Sequence, residues 1–404
     1  MSGPLRVTKG RGTGLNSAAV FEAKQTREEI YQPILGSGEG RMRIAIDASS
    51  SAVANRTGVA KYILRLIEYL ERQPDDNEYL VYYRLSRWKK RQFFYHPLRE
   101  TTKVKLLQEP FCVGRGIDVF HGPDARLPGL RRPKLVATVH DVFSLVSDEF
   151  AKDEFRKKKI ARYRTVAERA DRIICVSENT RRDFLRFFSF AEARTCVIGE
   201  GVDEQFFRRP KEEVERVKKK FGITSDYLLY VGALSKRKNV LRMFEAFKKA
   251  REKFDTELQF VAVGRLTYGK EEISKYIEDT VQDNEIVLTG YVPDEDVPAL
   301  YSGARLFVFT TLYEGFGLPI LEALACGAPV LTSNISAMPE VGGDNVIMAD
   351  PRDVDDIKEK MLACLQKSCL GNAGEQETDA VGRFSWSRMA RETSKTYAEV
   401  CGKT

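Results

Sequence analysis

The sequence predicts an α/β protein built from two parallel-sheet units, and three observations carry that reading. The chain has 404 residues, long for one hydrophobic core and comfortable for two. Short runs rich in Val, Ile and Phe alternate with helical spacing along most of its length, as when parallel strands are joined by crossover helices. A unit of strand, small-residue loop and helix also recurs, near residues 42–70, 227–247 and 305–331. Such a unit is half of a nucleotide-binding fold.

Composition narrows the class. Hydrophobic residues at 43% and charged residues at 30% are ordinary for a globular protein. No apolar run approaches the roughly 18–20 residues of a membrane span, and no charged-then-apolar leader opens the chain. Seven scattered cysteines lack metal-ligand spacing and point to thiols in a reducing compartment; three histidines leave little for a His-based metal site. The net charge of +7 favours anionic ligands or membrane surfaces without singling out nucleic acid.

Residues 1–41 are rich in Gly, Ser, Thr and charge. Val20, Phe21, Ile30 and Tyr31 would line a short helix at most, so a loosely held extension is expected there. The first strand is Arg41–Asp47. A helix follows with Tyr62, Ile63, Leu66, Ile67 and Leu70 on one face and Thr57 and Gly58 near its start. There is no G-x-G-x-x-G, so a dinucleotide fingerprint is absent. Further strands are read at 79–84, 103–107, 117–121 and 134–140. Two basic stretches, 84–95 and 156–164, fit an anionic bilayer, single-stranded nucleic acid or a plain solvated face. His140 stands at the carboxyl end of a strand, where open sheets keep their ligands; a structural histidine followed by an Asp141 turn fits equally.

A strand at 171–176 and the Val197–Asp203 run lead to charged residues 208–220, a helix or linker. The second unit restarts at Tyr227. Its loop carries Lys236, Arg237 and Lys238, cations suited to a pyrophosphate or to a surface cluster. Strands at 258–264 and 285–290 follow, and Tyr291, Val292 and Pro293 form a turn. Asp350, Asp353, Asp355 and Asp356 decorate a helix start, so no metal is assigned. Residues 366–380 are a polar loop, and Phe384 begins the last helix.

The central stretch is 313–331. Leu306–Phe309 reads as a buried strand, Gly315 and Gly317 allow a tight turn, Pro319 suits the first helical position, and Gly327 with Pro329 ends the helix. The loop aims backbone N–H groups and a helix dipole at one point, an arrangement that suits phosphate. Glu314 and Glu322 bracket it, placed to accept hydrogen bonds from a polyol. A plain glycine turn, with Glu322 serving the helix, fits the spacing as well.

Glu314-Gly-Phe-Gly-Leu-Pro-Ile-Leu-Glu322 resembles the E-x7-E signature of retaining glycosyltransferases of family 4, which have the GT-B fold. The resemblance continues through Ala323–Leu331 and Met338–Gly342 and covers most of residues 42–395. It implies two Rossmann-like domains facing a cleft: an acceptor domain at 42–207, with a last helix at 385–404 crossing back onto it, and a donor domain at 208–384. It further implies that Thr57 and Gly58 face the donor phosphates and that Tyr291 and Val292 seat the base. Gly315, Phe316, Gly317 and Leu318 would cradle the diphosphate, and Glu322 the ribose. Glu314 and His140 would hold the sugar. Lys238 matches the family's lysine, and Arg237 takes the charge lost where Ala233 replaces an arginine. Gly199-Glu200 departs from the usual Pro-Asn or Pro-His.

The Arg-Lys-Asn form of residues 237–239 resembles a mannosyltransferase-like branch. The implied activity is retaining, metal-independent transfer of a hexose, mannose from GDP-mannose, to a hydroxyl of a glycan or lipid-linked acceptor. The nucleotide sugar is then a co-substrate, with no cofactor. The expected location is cytoplasmic and peripheral at the inner membrane face, with an anionic membrane surface as partner and no nucleic acid. The alternatives are a UDP-sugar transferase, an epimerase or phosphorylase on the same fold, and a non-catalytic sugar-nucleotide binder.

Overall fold

The apolar runs of the first half form one parallel sheet: β1 (Arg43–Asp47), β2 (Glu78–Arg84), β3 (Thr102–Leu107), β4 (Val119–Gly122), β5 (Lys134–Val139), β6 (Arg172–Cys175) and β7 (Thr195–Val197). The computed structural model describes residues 41–55, 57–108, 116–129, 132–253, 257–280, 285–366 and 382–403. Residues 1–40 of the expected extension and 367–380 of the expected polar loop lie outside the described residues. The spatial order is β3-β2-β1-β4-β5-β6-β7. Ile44, Ala45 and Ile46 of β1 are all fully buried. Successive side chains point to opposite faces, so both faces of this sheet are covered, as parallel sheets require.

The second half repeats the plan with β8 (Asp226–Val231), β9 (Leu258–Val263), β10 (Ile286–Gly290), β11 (Leu306–Phe309), β12 (Val330–Ser333) and β13 (Ile347–Ala349), in the order β10-β9-β8-β11-β12-β13. Each sheet thus reverses direction once, between β1 and β4 and between β8 and β11. In open parallel sheets, ligands bind outside the carboxyl ends of the strands at this switch point.

The helices that matter for the site are α1 (Gly58–Glu71), α2 (Asp153–Arg169), α3 (Glu178–Phe187), α4 (Lys211–Lys220), α5 (Val240–Arg251), α6 (Leu318–Ala325), α7 (Met338–Gly342), α8 (Val354–Gln366) and α9 (Trp386–Val400). In α1 the expected face, Tyr62, Ile63, Leu66, Ile67 and Leu70, is the buried one. Asp353 accepts from the backbone N–H groups of Asp355 and Asp356 at the start of α8, as the acid-rich helix start requires. Pro319 occupies the second position of α6 rather than the first, because Gly317 is the cap and Leu318 opens the helix.

The last helix packs on the first half. Trp386 Nε1 donates to Asp203 at 2.8 Å, and Tyr397 shares a 2.6 Å hydrogen bond with His121. The basic stretch at 84–95 is largely short 3₁₀ turns over Leu85–Phe93. Its aromatic end folds inward, with Phe94 stacked on Tyr83 at 3.8 Å and the Tyr95 hydroxyl bonded to Glu71, while Leu85 and Trp88 stay exposed.

Candidate active site

The glycine loop between β11 and α6 is fastened to the first half of the chain. A Cβ built on Gly315 would lie 1.6 Å from the His140 carbonyl oxygen, so only glycine permits this approach. Gly317 takes φ 119°, a conformation open to glycine, and turns the chain into α6. Ser177 and Thr180, in the first turn of α3 and its cap, donate hydroxyl hydrogen bonds to the Gly315 carbonyl at 2.5 and 3.0 Å. From the second half, the Glu340 carboxylate accepts from the N–H groups of Glu178 and Asn179 at 2.9 and 3.2 Å. These are otherwise orphan donors of the helix start, and a carboxylate there also meets the positive end of the helix dipole. Phe316 is buried edge-on against Phe384 at 5.3 Å.

Glu314 is the centre of charge. Its Oε1 accepts from Arg237 at 2.8 Å and pairs with Lys238. Arg237 also donates to the Tyr313 carbonyl at 2.5 Å and stands 5.0 Å over the Phe143 ring; Lys238 stands 5.0 Å over Phe309. Ser336 grips the backbone of Glu314 on both sides, accepting from its N–H at 3.0 Å and donating to its carbonyl at 2.6 Å. Burial alone would raise the Glu314 carboxyl, but the two cations outweigh it and hold it below the usual carboxylate range. The Lys238 ammonium is lowered, because burial and the neighbouring Arg237 outweigh its share of a single carboxylate.

His140 sits across the loop from Glu314. Its Nδ1 lies 2.9 Å from Glu200 and its Nε2 2.8 Å from the Pro123 carbonyl, with the Tyr62 ring edge-on at 4.6 Å. Both partners accept, an arrangement that favours the protonated imidazole with both ring nitrogens donating. Burial pushes its pKa down, yet the Glu200 bond and charge dominate and the pKa is raised. Both ring nitrogens thus have partners within the first half, and the backbone presents the carbonyl that abuts Gly315.

At the other end of the loop, Glu322 accepts from Tyr301 at 3.1 Å and from Lys61 of α1 at 3.3 Å. Thr57 caps α1, its hydroxyl accepting from the Ala60 N–H at 3.4 Å. A Cβ on Gly58 would meet a Leu318 methyl at 3.9 Å, which sets the start of α1 against the start of α6. Arg265 lies 5.8 Å over the exposed Tyr291 ring. With its amide turned to satisfy its neighbours, Asn55 accepts from both Arg265 terminal nitrogens at 3.2 and 3.0 Å. Val292 is buried in the core.

The structure therefore brings Glu314, Arg237, Lys238, His140 and the glycine loop to one point. Glu322, Thr57 and Gly58 lie along the same cleft, and Tyr291 lies toward the Asn55–Arg265 end. Sequence reasoning missed Lys61, Glu200, Tyr301, Ser336 and Asn55. Only Glu200 carried a signal, the departure at Gly199-Glu200. Among the described residues no group of three or more His, Cys, Asp or Glu is placed to hold a metal ion, and no helix is long and apolar enough to cross a membrane.

Comparison with known proteins agrees with this geometry. Residues 56–206 match the model for Glycosyltransferase Family 4, and residues 211–377 that for Glycosyl transferases group 1. The chain is 30% identical over 336 residues to the O-antigen chain mannosyltransferase B of Escherichia coli, covering 82% of each protein. The chain belongs to glycosyltransferase family 4. Its relatives place it in a mannosyltransferase-like branch. The serotype-specific mannosyltransferase WbdA of Escherichia coli is 30% identical over 271 residues, 64% of this chain and 32% of that larger protein. The MMP alpha-(1->4)-mannosyltransferase of Mycolicibacterium hassiacum is 28% identical over 285 residues, 67% of this chain and 66% of that protein.

Among solved structures, sucrose-phosphate synthase from Thermosynechococcus elongatus superposes with a TM-score of 0.72 at 18% identity, covering 90% of this chain and all of that one. Anabaena Alr3699/HepE in complex with UDP and glucose superposes at 0.68 and 17% identity, covering 89% of this chain and all of that one. At such identities the likeness establishes the fold, which is GT-B.

Proposed function

We propose that this glycosyltransferase moves mannose from GDP-mannose to a hydroxyl of a lipid-linked or surface-polysaccharide precursor, with retention at the anomeric carbon and no metal ion. The observation that carries the reading is the pairing of Glu314 with Arg237 and Lys238 at the second switch point, opposite His140, in a chain whose relatives are mannosyltransferases. In this reading the donor diphosphate takes over Arg237 and Lys238, released by Glu314, which turns to the sugar hydroxyls. Two guanidinium or ammonium donors and the N–H groups of residues 315–318 then face the charge that builds on the leaving group.

The sugar C1–O bond breaks with its electron pair going to the diphosphate. The acceptor oxygen bonds C1 on the same face, and its proton passes to a phosphate oxygen. Glu314 orients the sugar and does not attack it. Glu322, held by Tyr301 and Lys61, binds the ribose hydroxyls. His140, kept protonated by Glu200, supplies a fixed positive wall to the sugar pocket. Calorimetric titration with GDP, GDP-mannose, UDP and UDP-glucose tests the donor. Binding of the guanine nucleotides in preference is expected, and tighter binding of the UDP ligands overturns the donor assignment.

A further inference from the structure

The first sheet has its own switch point, and it is lined with cations that the donor chemistry does not use. The loop after β1 brings Ser50, β2 ends at Arg84, the turn after β4 brings Asp124 and Arg126, and α2 adds Lys159 and Arg162. Arg126, Arg162 and Lys159 approach Asp124 at 3.2, 3.5 and 3.9 Å, and Ser50 donates to it at 2.7 Å. Arg84 bonds Asp47 alongside, at 3.2 Å. We propose that this cluster binds a phosphoryl group carried by the acceptor substrate. The proposal rests on the reading above that the first half of the chain takes the acceptor.

Four observations favour a ligand over a merely solvated face. Three cations share the Asp124 carboxylate, leaving a surplus of positive charge at a partly buried point. The buried Nε of Arg126 makes its 3.2 Å ion pair with Asp124 out of hydrogen-bond alignment and has no hydrogen bond among the described residues. The crowding of like charges is felt: burial first, and then the repulsion of Arg126, lower the pKa of Arg162 despite Asp124. Lys159 and Arg162 share one face of α2 at a three-residue spacing, whereas Lys157, Lys158 and Arg164 of the same basic stretch point to solvent.

The location and the donor set identify the ligand. Pro123, whose carbonyl takes the His140 hydrogen bond, directly precedes Asp124, so the cluster borders the sugar end of the cleft. It lies at the switch point of the first sheet, while the donor's cations lie at that of the second, so one anion site does not duplicate the other. Two guanidinium forks and an ammonium converging from two elements, the turn after β4 and α2, suit a group with several equivalent oxygens, a phosphoryl more than a single carboxylate. The phosphoryl group could be that of a lipid-linked precursor or of a soluble phosphosugar, and the chemistry is the same.

The test titrates inorganic pyrophosphate into protein already saturated with GDP, so that the donor's cations are occupied, and repeats the titration with Arg126→Gln and Arg162→Gln. Lys157→Gln, on the outward face of α2, removes an equal charge as control. A parallel arm measures flotation of the GDP-saturated protein with phosphatidylcholine vesicles with and without a polyprenyl phosphate. Each site variant is expected to weaken binding about tenfold, the effect of one lost charge-assisted hydrogen bond, while the control leaves it unchanged. Loss in the pyrophosphate arm supports a site open to soluble phosphosugars; loss confined to the doped vesicles supports one reserved for the lipid phosphate. Binding in neither arm, or equal weakening by the control, overturns the site. Failure of GDP itself to bind counts against the donor reading. In that case the difference between Arg126→Gln and Lys157→Gln in pyrophosphate affinity still decides the site.

Discussion

The Lys61 ammonium group reaches Glu322 across the cleft at 3.3 Å, joining residues 261 positions apart and tying the first helix of one half to the glycine-loop helix of the other. Glu322 raises the pKa of Lys61 against the effect of burial, which favours the ammonium form. A donor ribose that engages Glu322 must share that carboxylate with Lys61 and Tyr301. Glu322→Ala should weaken binding of free GDP about tenfold or more, since hydrogen bonds to a charged group run about 1.5–3 kcal/mol. Unchanged GDP affinity in a folded variant would leave Glu322 as a bridge to Lys61 and nothing more.

Gly315 sets how closely the halves meet. Gly315→Ala places a methyl group where the His140 carbonyl oxygen stands, so the loop and the end of β5 must part. A displacement of about 1 Å at a reacting centre costs roughly 10²-fold, and kcat should fall by about that factor in a protein that still folds. Steady-state kinetics beside a thermal melt separate the outcomes; near-normal turnover would mean that the approach is irrelevant to the chemistry.

The His140–Glu200 pair makes stability depend on pH. The folded histidine has a raised pKa, so its contribution is fully present below the unfolded value of about 6.5 and is lost as pH rises through the folded value. Melting temperature should therefore fall as pH is raised above about 6.5, and Glu200→Gln should flatten this dependence. An equal slope in the variant would assign the effect to other groups.

In the proposed mechanism Lys238 and Glu314 divide the catalytic work. Removing one positioned electrostatic donor costs about 10²–10³ in rate, so Lys238→Ala should depress turnover more than donor binding. Glu314→Gln should slow transfer and donor hydrolysis together. Mass spectrometry during turnover should find no mannose bonded to residue 314 in the unsubstituted protein; such an adduct would make Glu314 a nucleophile.

Much of this was legible because the relevant residues are neighbours in the chain. Strand, glycine loop and helix at 306–325 follow from local spacing, and the cations at 236–238 stand beside a recognisable strand end. Lys61 and Asn55 were not legible, because each acts on a residue brought near only by the packing of the two halves, and Tyr301 and Glu200 reach partners distant in the chain within their own halves, Glu200 showing only as a departure from the usual pattern. Lys61 reads as an ordinary polar position of an amphipathic helix. The basic stretches show the same limit. Composition alone could not tell that Lys159 and Arg162 turn inward to Asp124 while Lys157 and Lys158 face solvent, nor that Phe94 and Tyr95 fold onto Tyr83 and Glu71.

Leu85 and Trp88 remain exposed among cations, the part of the first basic stretch still available to a membrane. Association with anionic vesicles should weaken with salt, since surface charges are screened over about 8–10 Å at 0.1–0.15 M. Flotation with and without anionic lipid measures it; no preference for anionic vesicles returns these residues to a solvated face.

The central claim is transfer of mannose from GDP-mannose on one face of the sugar, with the leaving diphosphate stabilised by Arg237 and Lys238. The most direct measurement is the anomeric configuration of the product formed from GDP-α-mannose and a synthetic alkyl mannoside, read by NMR from the one-bond C1–H1 coupling. The account predicts a new α-mannosidic linkage, and a β linkage would contradict it.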